Sequence, residues 1–279
     1  MSDPIESFVN NIFNDKWENV LTRMPSNSID IVITSPPYNV GLGSNRFKKD
    51  KYDSYKDNMP YTEYLEWMDC LFTECYRILK AGGRICLNIG DGANGSIPSH
   101  ADFTVRMRDK NNFIPMTTIV WDKKQIGNAL SWGSYKSPSH PSFPTQFEFI
   151  LVMAKETPKH DGDKEKITIT DEEFQKNSRA LWSFLPETNM KKYDHPAVFP
   201  EELPRRLIQH LTYEDDIVLD PFSGVGTTCA VAKKLRRKYI GIEMSKKYYE
   251  TSNIRLDEIP DTHIEIKNGV KTVIANWMK

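Results

Sequence analysis

A run of β-branched residues that ends on two consecutive prolines leaves a chain few ways to fold. Ile31-Val-Ile-Thr-Ser-Pro-Pro-Tyr-Asn39 is such a stretch. Ile29 to Ile33 carries the apolar, β-branched signature of a buried strand. Pro36 and Pro37 cannot donate to a sheet ladder, so the strand stops short of them and places the turn residues at its end. There the prolines fix φ, remove two N–H donors and leave a stiff turn whose carbonyls act as acceptors. Ser35 adds a hydroxyl and Tyr38 a flat aromatic face. Rigid acceptors beside an aromatic plane suit a planar base that carries an exocyclic amino group. Pro-Pro-Tyr alone is equally an ordinary surface turn after a strand. A second stretch decides between the two.

That stretch lies far down the chain. After the apolar strand Ile217 to Leu219 comes Asp220-Pro221-Phe222-Ser223-Gly224-Val225-Gly226-Thr227-Thr228. Gly224 and Gly226 permit a tight turn and close backbone approach, and the N-terminus of the next helix favours polar or anionic ligand groups. No Gly-Lys-Ser/Thr comes after it, so this is not a phosphate loop, and Cys229 stands where a dinucleotide fingerprint needs its third glycine. Glu243 closes the next strand, Tyr239 to Glu243, where a carboxylate can take both hydroxyls of a ribose. A nucleoside with no demand for pyrophosphate binding, and an acid for an α-amino group, point to S-adenosylmethionine.

The elements between these motifs alternate. Residues 7–13 suggest a short strand, Asn14-Asp15 ends it, and Lys16 to Met24 suggests a helix that Asp15 could equally just cap. Tyr61 to Lys80 is the clearest helix, with apolar residues at three- and four-residue steps and Ala81-Gly82-Gly83 as its stop. Arg84 to Ile89, Met116 to Trp121 and Phe147 to Met153 read as strands, and Ile217 to Ile242 as a final strand–helix–strand unit. Such alternation over 279 residues, 39% of them hydrophobic, predicts one large α/β domain or a domain with an inserted lobe. Lys155 to Arg179 is densely charged and poor in apolar residues, which marks it as that insertion.

Composition narrows the setting. A net charge of −1 argues against indiscriminate coating of nucleic acid but leaves room for a local basic cleft. Arg46, Lys48 and Lys49 sit in the polar loop Val40 to Pro60, which could close over a phosphate backbone or stay solvated. The four cysteines form no Cys-x-x-Cys pair, so buried free thiols are expected rather than disulfides or a metal site. No run of 18 apolar residues occurs and Met-Ser-Asp-Pro does not open a signal peptide, so a place in the cell interior, off the membrane, is expected.

Taken together, the two motifs resemble the amino-methylating DNA methyltransferases of the β arrangement, in which the catalytic Pro-Pro-Tyr motif precedes the cofactor motif. The resemblance runs over almost the whole chain. Thr34 to Asn39 matches the catalytic motif, Asp220 to Thr228 the cofactor loop, and His195 to Pro204 the segment leading into the cofactor half. Trp121-Asp-Lys123, Trp132-Gly-Ser134 and Glu148 to Lys155 match the far half of the sheet. Asn14-Asp15 matches a family Gly-Asp pair, with asparagine in place of the glycine.

The resemblance implies a doubly wound, mostly parallel seven-stranded α/β sheet with a small inserted recognition segment. It implies a catalytic half at 1–154, a target-recognition insertion at 155–194 and a cofactor half at 195–279. Ser35, Pro36, Pro37 and Tyr38 would form the catalytic site: the Ser35 hydroxyl and Pro36 carbonyl hold the amino hydrogens and Tyr38 stacks on the base. Asp220 would lie near the methionine amino group of S-adenosylmethionine, with Pro221, Phe222, Ser223, Gly224, Gly226 and Thr227 forming the surrounding loop. Glu243 would take the ribose and Asp15 the adenine amino group. Double-stranded DNA is the implied partner of a prokaryotic or phage-encoded monomer or homodimer, and a cognate restriction endonuclease would act separately. Serine before Pro-Pro-Tyr favours N4 of cytosine, whereas Asn39 pulls toward N6 of adenine; a non-catalytic nucleoside-binding relative stays an alternative.

Overall fold

The computed structural model describes residues 2–39, 58–92, 95–124, 133–143, 145–187, 198–267 and 270–276. Strand β2 (Ile29–Thr34) is buried along its whole length, as its apolar sequence requires of a central strand. Around it, β1 (Asn11–Phe13), β3 (Leu79–Ile89), β4 (Phe113–Asp122), β5 (Phe147–Lys155), β6 (Leu181–Ser183), β7 (Ile217–Asp220) and β8 (Lys238–Ile242) complete one sheet of order β1-β8-β7-β2-β3-β5-β4-β6. Only β5 runs against the rest: its pairings to β3 and β4 are antiparallel and all others are parallel. A separate antiparallel hairpin joins β9 (Asp261–Lys267) to β10 (Val270–Asn276).

Helices cover both faces, and the alternation along β2 explains how. Val32 packs into a core with α1 (Trp17–Leu21), α2 (Tyr61–Ile78) and α3 (Ser99–Asp109). Ile31 and Ile33 point the other way, into a core with α5 (Glu202–Leu211), α6 (Thr227–Lys234) and α7 (Lys246–Asp257); α4 (Asp171–Asn177) lies in the inserted segment. The doubly wound α/β expectation is met, with eight strands instead of seven. The additional strand is β6, which uses Trp182 (3% exposed) to extend the sheet beyond β4.

Three local expectations are corrected. The first strand is shorter than residues 7–13, because Ile5–Ser7 forms a 3-10 turn and Asn10 takes a left-handed φ of 59°. The helix expected over Lys16 to Met24 spans only Trp17–Leu21. Helix α2 ends at Ile78 rather than Lys80, since Ala81-Gly82-Gly83 forms a bulge inside β3 instead of a helix stop. Gly82 has φ +75°, and a Cβ there would stand 2.0 Å from the Lys159 carbonyl oxygen.

That contact shows where the inserted segment goes. Arg84 donates to the Pro158 carbonyl, His160 Nε2 lies 2.9 Å from Asp216 Oδ2, and Arg237 donates to Thr168 Oγ1. Asp216 and Arg237 immediately precede β7 and β8, so residues 155–177 pack along the N-terminal edge of the parallel strands. This is the edge away from the Ser35 strand end. Residues 155–177 of the segment expected at 155–194 to hold the recognition role thus lie at the edge opposite the Ser35 strand end.

Candidate functional site

The strand ends set the site. Along the C-terminal edge of the sheet, in strand order, the chain presents Asp15 after β1, Glu243 after β8, Asp220 at the end of β7, Ser35 after β2 and Asn88 near the end of β3. Next come Glu148 at the start of antiparallel β5, and Lys123 just after β4. With strands about 4.8 Å apart, these side chains form one continuous row. In open α/β sheets this edge is where ligands bind.

The two motifs found far apart in sequence meet in the middle of that row. Thr34 Oγ1 donates to Asp220 Oδ1 at 2.7 Å, Thr228 Oγ1 donates to Oδ2 at 2.7 Å, and the Phe222 N–H donates to Oδ1 at 3.1 Å. Asp220 is 1% exposed. Burial pushes its carboxyl up to about 6, with the two threonine hydroxyls and the Phe222 N–H pulling the other way. The sequence expectation put this carboxylate against a ligand's amino group. Its oxygens are enclosed and accept from the chain itself, so it braces β2 against the glycine loop.

Around that brace, Gly224 and Gly226 take positive φ angles of 51° and 74°. A Cβ at Gly226 would stand 2.9 Å from the Ser252 Cβ, so α7 closes directly over the turn. Glu243 spans the loop: the Gly224 N–H donates to Oε2 at 2.9 Å and the Ser245 N–H to Oε1 at 2.7 Å. Ser223 and Thr227 are buried inside the turn, and partly buried Phe222 packs 5.6 Å from Trp67. Asn14 Nδ2 donates to the Glu243 and Met244 carbonyls, tying the ends of β1 and β8. Asp15 Oδ1 accepts from the Asn19 side chain and from the Lys16 N–H, which together lower its pKa and hold it beside the start of α1.

On the other side of the brace lies a polar cluster. Ser35 Oγ and Tyr38 Oη are 3.0 Å apart. Tyr38 Oη donates to Glu148 Oε2 at 3.0 Å, and Asn88 Nδ2 donates at 2.8 Å to both Tyr38 Oη and Glu148 Oε2. Lys123 pairs with Glu148 Oε1. Tyr64 Oη holds the Pro37 carbonyl at 2.7 Å, and Pro36 is buried. Asn39 has φ 57°, and its amide exchanges two 2.7 Å hydrogen bonds with the Met59 backbone. Asn39 is thus occupied in bracing the turn, in a conformation asparagine tolerates.

Asn88, Glu148 and Lys123 have no role that sequence reasoning assigns. Their one local signal is a polar residue at the end of an apolar strand. Trp121 and Trp182 are core residues. Arg46, Lys48, Lys49, Trp132 and His195 lie outside the described residues. Among the described residues one possible metal cluster occurs, Asp30, His160 and Asp216, at the opposite edge and with Lys80 already on Asp30. Of the cysteines expected to be buried, Cys75, Cys86 and Cys229 are, whereas Cys70 is exposed.

Comparison with known proteins gives a consistent picture. A family model described as DNA methylase, N6/N4 type, matches residues 29–254. The type II methyltransferase M.BglII of Bacillus subtilis is 32% identical over 277 residues, covering 93% of this chain and 72% of the relative. M.MjaVI of Methanocaldococcus jannaschii is 37% identical over 185 residues, covering 66% of this chain and 89% of the relative. Among solved structures, a protein described as a DNA modification methylase from Thermus thermophilus, complexed with S-adenosyl-L-methionine, aligns with a TM-score of 0.70. It is 28% identical and the match covers 90% of this chain and 94% of that one. The PvuII DNA methyltransferase, cytosine-N4-specific, shares the fold at a TM-score of 0.66 and 22% identity, over 93% of this chain and 87% of that one.

Proposed function

The chain belongs to the N6/N4 DNA methylase family and is a DNA methyltransferase; from that premise we propose that it methylates N4 of a cytosine turned out of duplex DNA, as the modification enzyme of a restriction–modification system. The observation that carries this reading is the Thr34–Asp220 hydrogen bond, which sets a nucleoside-type loop directly beside the Ser35 strand end. Ser35 offers a neutral hydroxyl rather than a carboxylate. Asn39, which pulls toward adenine, holds the Met59 backbone and so braces the turn.

S-adenosylmethionine is the methyl donor of this family, and when bound it supplies the methyl group on a sulfonium. The residues present fit it. Glu243 is a half-buried carboxylate at a strand end, suited to a ribose diol, and Met244 beside it is 38% exposed, an apolar face for an adenine. Asp15, one strand further out, keeps its place as the partner proposed for the adenine amino group. Glu243→Ala is expected to weaken S-adenosylmethionine binding about tenfold or more, by loss of charge-assisted hydrogen bonds. Calorimetric titration of the variant checks this; an unchanged affinity would remove Glu243 from the cofactor site.

On the base side the chain positions rather than forms bonds. An exocyclic amino nitrogen is a poor nucleophile until both its hydrogens are held and its lone pair is turned toward the methyl. Ser35 Oγ and the Pro36 carbonyl are the proposed acceptors, and the Tyr38 ring the stacking surface. Ser35 Oγ and the Pro36 carbonyl would hold the amino hydrogens with the lone pair directed at the donor's methyl group, which the bound cofactor would supply, and the proton released from the nitrogen would pass to solvent.

Duplex contact is proposed for residues 133–143. This loop rises from the catalytic row, since its roots lead to Lys123 and Glu148. Tyr135 and Phe143 are 71% and 80% exposed, and from Lys123 to Phe147 the sequence carries Lys123, Lys124, Lys136 and His140 but no acid. Reciprocal hydrogen bonds between Ser134 and His140 stiffen it. The double variant Tyr135→Ala, Phe143→Ala is expected to bind duplex about tenfold or more weakly, since each base–aromatic stack contributes roughly 1–3 kcal/mol. Fluorescence anisotropy with labelled DNA reads the loss, and undiminished affinity would place recognition elsewhere. The reading as a whole is tested by transfer of tritiated methyl to unmodified duplex DNA with RNA in competition. Cofactor binding without incorporation, or preferential labelling of RNA, would overturn it.

A further inference from the structure

We infer that Glu148 is a positioning residue that makes Ser35 a hydrogen-bond acceptor, acting through the Tyr38 hydroxyl; this rests on the role proposed for Ser35. The protons of the cluster can be counted. A carboxylate can only accept. With Tyr38 Oη 3.0 Å from Glu148 Oε2, the single phenolic proton must lie between those two oxygens, or two lone pairs would face each other. Tyr38 is then an acceptor toward its other neighbours. Asn88 Nδ2 donates to it at 2.8 Å, and the 3.0 Å contact with Ser35 Oγ must carry the serine's own proton. With its hydrogen directed at Tyr38, Ser35 turns lone pairs toward the base.

The same carboxylate fixes the Asn88 amide, whose nitrogen stands 2.8 Å from Glu148 Oε2 and so must face it. Lys123, on Oε1, completes the arrangement. One anion on the antiparallel strand therefore sets the direction of a chain of hydrogen bonds that ends at the serine. A serine hydroxyl pointing the other way would place a donor against the donors of the amino group.

Glu148→Gln tests the direction without changing shape. Lys123 can pair only with the amide oxygen, which turns the amide NH2 toward Tyr38 and reverses the chain. The expected result is a fall in kcat of about ten- to a hundredfold, with KM for DNA and S-adenosylmethionine affinity within about twofold of wild type. In a Tyr38→Phe background, where no phenol transmits the effect, the same substitution should change kcat by less than about threefold. An equal fall in both backgrounds, a change confined to KM, or no fall at all would each overturn the inference. Ser35→Ala separates the positioning role from the role of the serine. If that variant keeps its turnover, the role of Ser35 itself is lost; if it is inactive while Glu148→Gln is not, only the positioning role falls.

Discussion

Replacing Ser35 with alanine is expected to lower methyl-transfer turnover by about two orders of magnitude, with cofactor affinity retained. The reason is local. Ser35 directly follows the central strand, and its hydroxyl belongs to the row of polar groups formed with Tyr38, Asn88 and Glu148. The Thr34 side chain, not that of Ser35, braces the cofactor loop. Removing the Ser35 oxygen therefore leaves Asp220, Gly224 and Glu243 where they are. The reacting nitrogen loses an acceptor that matters most as its lone pair turns out of conjugation. Single-turnover kinetics with saturating S-adenosylmethionine, beside a cofactor titration, separates the two effects. Near-normal turnover would shift the holding of the amino group onto the Pro36 carbonyl.

A second large effect concerns stability. The Asp220 carboxyl sits at about 6 in the folded chain against its ordinary 3.8, because burial disfavours the charged form. Between those values the folded chain holds a proton that the unfolded chain has released. Stability from this group is thus fully present at low pH and is lost as pH rises from about 4 to about 6, with a span of about 3 kcal/mol. Asp220→Asn keeps an acceptor for Thr34 and lets the Thr228 hydroxyl accept instead of donate. Relative to wild type, the variant should gain stability across that window and hold the gain at pH 7.5. Urea unfolding at pH 4.5 and 7.5 measures it, and a difference between the two proteins that does not change with pH would contradict the buried-charge account.

The sequence exposed the two halves of the site for a physical reason. Ile29 to Ser35 and Ile217 to Thr228 are each local: an apolar strand, then residues that can only turn. Periodicity likewise located α2. The features that stayed hidden depend on neighbours in space. Asp220 looked like a ligand-facing acid because nothing near it announces that Thr34, from the other half of the chain, would cap it. Glu148 and Asn88 join Tyr38 across strands that are adjacent only after the sheet has formed. The order of the chain alone does not locate the charged insertion, whose ion pairs with Asp215 and Asp216 before β7 and hydrogen bond from Arg237 before β8 take it to the opposite edge.

Nucleoside mass spectrometry of DNA methylated by the purified protein reads the identity of the methylated atom directly. N4-methylcytosine is the expected product. N6-methyladenine in its place would contradict the role given to Ser35, while leaving the family and the fold intact.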